Sequence, residues 1–533
     1  MRRPGLKTVR VAVAMFFGTG LTAAFVDFRG AVPAQIGHWL ASVQFVPSAV
    51  ALVMGESLAV LVAIFAATLL AGRIYCSTVC PLGILQDVAA RLAGWFRRAP
   101  LRLPYRPARN WVRIAFFWVS VTGIAYGFAG LTLSLVDPYS IFGRMAADLF
   151  RPIVAFVNNA IVGVIRGLGG EGLYRVDLHW ASAGALALPA IILLLVVGLA
   201  AWRGRLYCNT FCPVGTLLGF ISKRSAWQLS LDPALCRKCG DCLRVCKAQC
   251  IDLRAGKIDQ SRCVSCYNCI GACEEHGIHH RWSWRRQPSR PAGTADLVAD
   301  PQRRSFLAGA TMAITGSVAA VQLRASSIGS EVGNADGSVP SASLGRNESP
   351  AISPPGSVSV DQFLDRCTGC HLCISACPTQ VLQPAFLEYG FAGFLKPRLD
   401  FSTAFCNYDC RRCAEACPDT AITLLPLLEK QTTRIGVAHL DLEHCIVKTK
   451  GTDCAACSEH CPTKAVDTVP YGNNLRLPQV SRESCIGCGA CEYACPAKPR
   501  KAIVVVGQRR HSHASRRLEE KAVDPRKGKD FPF

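Results

Sequence analysis

The chain has 533 residues, half of them hydrophobic and only 18% charged, and its mean hydropathy of +0.25 is too apolar for an ordinary soluble protein. Yet 59 Lys and Arg against 37 Asp and Glu leave a net charge of +22, which points to membrane spans with basic loops rather than a basic globule. A small secreted disulfide scaffold does not fit 29 cysteines in so long a chain, and disorder, collagen and coiled coil are excluded.

Residues 1–222 read as an α-helical membrane domain. Apolar runs near 9–26, 48–71, 111–136 and 181–202 are each long enough to span a bilayer as a helix. A weaker run near 150–168 contains Arg151, Asn158, Asn159 and Arg166 and reads as an interfacial amphipathic helix. The first run is too long for a signal peptide and lacks a convincing cleavage site. Arg2, Arg3, Lys7 and Arg10 precede it, and Arg91, Arg97, Arg98, Arg102, Arg106, Arg109 and Arg113 follow the second run without an acid among them. The loop Asp137–Trp180 balances four Arg against four acids. Positive loops stay inside, so the order is in–out–in–out–in. The basic residues hug the membrane ends, and no nucleic-acid partner is expected. His38, His179, Asp137 and Asp177 fall near the outer face without an assigned role.

Residues 230–285 follow as a small cysteine-rich module on the inner side. Cys236, Cys239, Cys242 and Cys246 have C-x2-C-x2-C-x3-C spacing, as do Cys263, Cys266, Cys269 and Cys273. Residues 286–360 form a connector. In it Arg303-Arg304-Ser305-Phe306-Leu307 precedes an apolar stretch to Val321, and 326–359 is a Ser-, Gly- and Pro-rich linker. Twin arginines with Phe and Leu at those offsets resemble the signal of the folded-protein export route. The stretch reads as a fifth single span that would carry the C-terminal part of the chain outward.

Residues 361–507 form the second cysteine-rich domain, and 508–533 a charged tail expected to be disordered. Cys367, Cys370, Cys373 and Cys377 repeat the spacing, as do Cys485, Cys488, Cys491 and Cys495. Cys406, Cys410, Cys413 and Cys417 widen the first gap, and Cys445, Cys454, Cys457 and Cys461 lengthen it further. Three closely spaced thiolates wrap one face of an iron–sulfur cube while the fourth reaches a partner cluster. A zinc site has no place for the third close cysteine. Six [4Fe-4S] clusters are therefore expected, on two α+β bacterial-ferredoxin-like domains. Crossed pairing is expected in the inner module. In the outer domain, analogy with other four-cluster subunits favours the first quartet with the fourth and the second with the third, with sequential pairing as the alternative. Cys250 is left over as a spare buried thiol.

An internal repeat adds a further candidate. Gly72-Arg73-Ile74-Tyr75-Cys76-Ser77-Thr78-Val79-Cys80-Pro81-Leu82-Gly83 returns as Gly204-Arg205-Leu206-Tyr207-Cys208-Asn209-Thr210-Phe211-Cys212-Pro213-Val214-Gly215, matching at eight of twelve positions. If the copies meet across a pseudo-twofold, Cys76, Cys80, Cys208 and Cys212 offer four thiolates to one additional metal or iron–sulfur site at the inner membrane surface. The alternative is four thiols that only pack.

With these motifs, residues 1–285 resemble the NapH family of membrane ferredoxin-type proteins, and residues 300–507 resemble the NapG/MauM family. The chain looks like a fusion of the two. The resemblance implies an electron-transfer protein of the bacterial inner membrane that works between the quinone pool and a periplasmic reductase or cytochrome, as in nitrate-reductase systems, with quinone and quinol-dehydrogenase activity among the expectations. The alternative is a membrane redox sensor or a maturation factor for another metalloenzyme. No substrate-transforming motif is present, and no catalytic residue is assigned.

Overall fold

In the computed structural model we describe residues 5–53, 55, 57–96, 105–107, 109–170, 173–177, 180–284, 351–472 and 474–515. The twin-arginine segment, the stretch 306–321 and residues 516–533 lie outside the described residues. The expected linker and tail bounds are corrected: Ile352 is buried in the second cysteine-rich domain and its carbonyl accepts from the Leu399 amide at 2.9 Å, and residues 508–513 belong to the strand Ile503–His513.

Three described helices are long and apolar enough to cross a membrane: Leu6–Val26, Pro138–Gly167 and Ala183–Arg203. The first and third coincide with expected spans, and each, with 21 residues, rises about 32 Å. The run expected at 111–136 is helical from Asn110 to Val136 but includes a π-helical turn at Ile124–Phe128. The run expected at 48–71 is divided into Phe45–Val53 and Ala59–Ala71. Gly55 between them adopts φ +75°, a conformation that stops a helix.

The helix expected only over 150–168 starts at Pro138 and has 30 residues. Asp137 caps it, accepting from the Tyr139 and Ser140 amides at 3.2 and 2.9 Å. A π-helical stretch, Met145–Phe150, lies within it. Asp137, Arg144 and Asp148 make this segment look like a loop, yet all three are buried, and each has a hydrogen-bond partner.

The two cysteine-rich domains, named inner (230–285) and outer (361–507) after the sidedness expected from the loop charges, lie at opposite ends of the bundle. At one end, the backbone amide of Arg205, just beyond Ala183–Arg203, donates to the Lys247 carbonyl at 3.0 Å. At the other end of that helix, Gly184 lies against the Phe386 ring. The first helix is anchored likewise: Arg10 reaches Asp87 at 3.5 Å, while Phe25 packs in the same buried cluster as Cys370 and Leu372.

Both domains are α+β. The inner one pairs Trp227–Leu231 with Ile278–Trp282 and Ile251–Asp252 with Lys257–Ile258, all antiparallel. The outer one pairs Leu382–Pro384 with Pro397–Leu399, Thr433–Leu440 with Ile503–His513, and Val466–Tyr471 with Leu475–Val480.

Asp87 ties the bundle to the inner module. Its carboxylate meets Arg205 and Lys247 at 2.8 Å each, as well as Arg10. Burial alone would raise this carboxyl, but Arg205 and Lys247 hold it well below the usual carboxylate range. Asp87→Asn leaves three sheltered cations without their shared anion and should cost about 3–5 kcal/mol. Asp453→Asn, which breaks the exposed pair with Arg476, should leave the melting temperature in detergent unchanged. Equal melting temperatures for the two variants would overturn this account.

Candidate iron–sulfur centres

Four of the quartets share one backbone path. Positive φ occurs at Lys238 and Gly240, Ser265 and Tyr267, Gly369 and His371, and Gly487 and Gly489, the positions flanking the second cysteine of each quartet. Left-handed residues in alternation turn successive amides toward one point, a cradle suited to anionic sulfur. Lys238, Ser265, Tyr267 and His371 adopt it without being glycine, a local cost that accompanies functional sites. A one-turn helix follows each loop and ends on the fourth cysteine, whose backbone is extended: Cys246, Cys273, Cys377 and Cys495. That extension aims the fourth thiol away from its own loop.

In the inner module Cys236, Cys239, Cys242 and Cys273 line one space of about 400 Å³. Cys246 lies instead beside Cys263, with Cys250 touching both; the Cys246 and Cys250 sulfurs are 3.6 Å apart. Cys266 and Cys269 complete that group. Cys250 is thus no isolated thiol.

The outer pairing differs from the expectation. Cys377 does not approach Cys485, Cys488 and Cys491; it lines a space of about 360 Å³ with Cys406, Cys410 and Cys413. Cys417 neighbours Cys367, Cys370 and Cys373. Cys495 shares a space of about 340 Å³ with Cys445, Cys454 and Cys457, and Cys461 stands with Cys485, Cys488 and Cys491. The quartets pair in sequence order, first with second and third with fourth. The pairs are joined where the Cys406 amide donates to the Cys488 carbonyl at 2.9 Å.

Among the described residues no three His, Cys, Asp or Glu side chains close tightly enough around a point to hold one ion. Four thiols around a space of this size fit an iron–sulfur cube better than a tetrahedral zinc. Burial pushes Cys242 up to about 11 and Cys417 up to about 12, so loading with metal must displace thiol protons.

The four repeat cysteines converge and are buried. Burial first, then the thiols of Cys208, Cys76 and Cys212, raises the Cys80 thiol. Tyr75–Thr78 and Leu206–Thr210 form short helices, so Cys80 and Cys212 do not continue them. Each stands at the start of the next helix, Pro81–Phe96 or Pro213–Ser222, with proline in its favoured first position. Every sulfur has a donor. Arg73 approaches Cys76 Sγ at 3.9 Å, Gln86 Nε2 donates to Cys208 Sγ at 3.1 Å, and the Gly215 amide donates to Cys212 Sγ at 3.3 Å. The Gly83 amide serves Cys80.

The arginines cross between copies. Arg73 donates to the Cys208 carbonyl at 3.4 Å and Arg205 to the Cys76 carbonyl at 2.5 Å. A Cβ at Gly83 would lie 3.2 Å from the Arg205 guanidinium, and one at Gly215 2.8 Å from that of Arg73. The identical Gly, Arg and Cys of the two copies therefore act together. The site is covered on both sides: Arg73 also donates to the Ser261 carbonyl of the inner module at 3.1 Å, and the Tyr75 hydroxyl donates to Gln44 at 3.1 Å on the other side.

At the outer junction the helix Pro138–Gly167 holds the loop between Cys367 and Cys373. Arg144 donates to the Gly369 carbonyl at 3.4 Å, and Asp148 meets His371 Nδ1 at 2.9 Å. His371 Nε2 donates to the Leu395 carbonyl at 2.6 Å. His38 Nδ1 lies 3.1 Å from the Cys417 carbonyl, and the Asp177 carbonyl accepts from Gln380 at 3.3 Å; His179 lies outside the described residues. Sequence reasoning missed Arg144, Asp148 and Gln86. Ionisable residues in an apolar helix were the available signal for the first two; none marked Gln86.

Comparison with known proteins finds iron–sulfur families along the chain. The family described as 4Fe-4S binding domain matches residues 53–101 and 185–230, the two repeat copies. Families described as 4Fe-4S dicluster domain match 366–422 and 405–465 and 450–499. The methylamine utilization ferredoxin-type protein MauM of Methylorubrum extorquens is 33% identical over 161 residues, 29% of this chain and 71% of that protein. The ferredoxin-type protein NapF of Escherichia coli is 29% identical over 151 residues, 28% of this chain and 84% of that protein. The ferredoxin-type protein NapH of Haemophilus influenzae is 27% identical over 216 residues, 39% of this chain and 61% of that protein. No solved structure matches. With 4Fe-4S dicluster families matching residues 366–499 and a MauM relative 33% identical over 71% of its length, the chain belongs to the NapH/MauM-like ferredoxin-type family of iron–sulfur electron-transfer proteins.

Proposed function

We propose that the protein is a membrane-bound electron conduit passing electrons between the quinone pool or a cytoplasmic donor and a periplasmic reductase or cytochrome. One observation carries this reading: a single buried cluster of side chains contains Cys266 of the inner module, all four repeat cysteines and Cys370 of the outer domain. In this reading the 24 quartet cysteines hold six [4Fe-4S] clusters and the repeat cysteines a seventh metal or iron–sulfur site. When bound, the clusters supply single-electron carriers.

The residues order the sites. Cys242 neighbours Cys269 within the inner module, Cys373 neighbours Cys413, and Cys491 neighbours Cys457. With the Cys406–Cys488 contact, these proximities make one line from Cys236 at the inner tip to Cys445 at the outer one. Arg73 and Arg205 offset the negative charge that four thiolates would concentrate between them. For the quinone arm, the space of about 1310 Å³ lined by Asp27, Arg29, Arg151, Arg412 and Glu415 beside Cys377 is the candidate head-group pocket, with two carboxylates to accept protons.

Three measurements test this. In the anaerobically purified protein, Cys377→Ser should remove the cluster signal of the Cys406 group and leave that of the Cys367 group, whereas Cys417→Ser should do the reverse; the opposite assignment would sink the sequential pairing. Cys76→Ser combined with Cys208→Ser should abolish quinol-driven reduction of the outer clusters while membrane insertion persists, and normal conduction in this variant would remove the repeat site from the path. Arg303→Lys with Arg304→Lys should protect residues 361–507 from protease in spheroplasts, where the wild type is cut. Protection in both would place all clusters inside and end the transmembrane reading.

A further inference from the structure

The sulfur of Cys370 has an unusual neighbour. Tyr139 is 1% exposed, and its hydroxyl has no well-formed hydrogen bond. A buried hydroxyl left in that state is costly and calls for an acceptor. The group it faces is the Cys370 thiol. As a neutral thiol, Cys370 is a poor acceptor; as a thiolate bound to iron it is a good one.

The surroundings hold this contact in place. The Tyr139 ring packs against Phe25 at 5.9 Å between centroids, and Phe25 is itself fully buried. One turn further along the helix, a Cβ at Gly143 would fall 2.2 Å from the Cys370 carbonyl oxygen and 2.8 Å from the Phe25 ring. Only glycine lets the helix come this close. Arg144, also 1% exposed, donates to the Gly369 carbonyl behind the same sulfur, and its charge acts on Cys370. Asp148 then fixes the loop through His371. Four residues of one membrane helix thus address a single cysteine loop of the outer domain.

We propose that Tyr139 donates a hydrogen bond to the Cys370 sulfur when that sulfur ligates iron, and that this bond, with the Arg144 charge behind it, raises the reduction potential of the outer cluster nearest the membrane. The proposal rests on the iron–sulfur reading of the quartets. Reduction adds negative charge to the cluster and its sulfurs, and a hydrogen-bond donor and a cation both favour the more negative state. The membrane helix would then set the potential at which electrons cross into the outer domain, without ligating metal itself.

Tyr139→Phe deletes the hydroxyl and keeps the ring against Phe25. In a redox titration of the full-length protein followed by electron paramagnetic resonance, one cluster signal should move to a more negative midpoint. Iron content, sulfide content and the remaining signals should be unchanged, and the same signal should lose a deuterium-exchangeable proton coupling. An unmoved midpoint in a fully loaded variant overturns the proposal while leaving the cluster reading intact. If Cys417→Ser and Cys367→Ser remove no signal from the otherwise wild-type protein, it is the cluster reading that fails. Should Tyr139→Phe not retain its cluster, 3-fluorotyrosine at position 139 keeps the shape and strengthens the donor. The same signal must then move to a more positive midpoint, and no movement or the opposite movement overturns the proposal.

Discussion

A thiolate removed from water must be met by donors or by positive charge, and much of this architecture follows from that requirement. Burying an ion uncompensated costs several kcal/mol, and the chain meets the cost differently at each depth. In the two cysteine-rich domains the backbone supplies the donors, through loops whose alternate residues take positive φ. In the bundle, where backbone amides are committed to helices, donors come from helix starts at Pro81 and Pro213 and from Arg73 and Gln86. The short helices ending before Cys80 and Cys212 are the conformational means by which amide groups become free to point inward.

The polar residues of the apolar helices serve the same end at the domain junctions. Asp87 gathers cations from the first helix, the second repeat and the inner module. Arg144 and Asp148 reach the outer loop, and Lys396 of that domain reaches the Leu364 carbonyl beside Gly130. These are directional contacts at both ends of a bundle whose lateral surface is apolar, with Leu194 and Phe156 among its exposed side chains. Hydrophobic packing sets the proximity of the domains; the buried polar pairs set their register.

The amino-acid sequence made the cysteine groups legible because the ligand geometry of a quartet is local: three thiols on one loop and a fourth just past a single turn. The repeat was legible for a related reason, since Gly, Arg, Cys and Pro recur at fixed offsets. The order in which outer quartets pair was not. It depends on which neighbour each fourth cysteine faces after its extended residue, and nearly equal gaps carry no trace of that choice; Cys377 meets Cys406 rather than Cys485. The start of the helix at Pro138 was hidden too. Asp137, Arg144 and Asp148 resemble a loop until their partners are known, and Gly369 and His371, which meet Arg144 and Asp148, lie far along the chain. Hydropathy also passed over Gly55, because one residue of unusual backbone conformation barely changes a window average.

The crossed arginines make each repeat copy depend on the other. Neither repeat completes its own thiol site: the Cys76 carbonyl depends on Arg205 and the Cys208 carbonyl on Arg73, each guanidinium lying where the other copy has a glycine. A chain bearing one copy forms this arrangement only as a symmetric dimer, with both arginines exchanged across its axis. With both copies on one chain, the halves are free to differ. Asp87 shows the result, for the second copy has Gly219 at the corresponding place, packed against the Ser261 carbonyl. One half gathers cations, and the other leaves room for the inner module to dock.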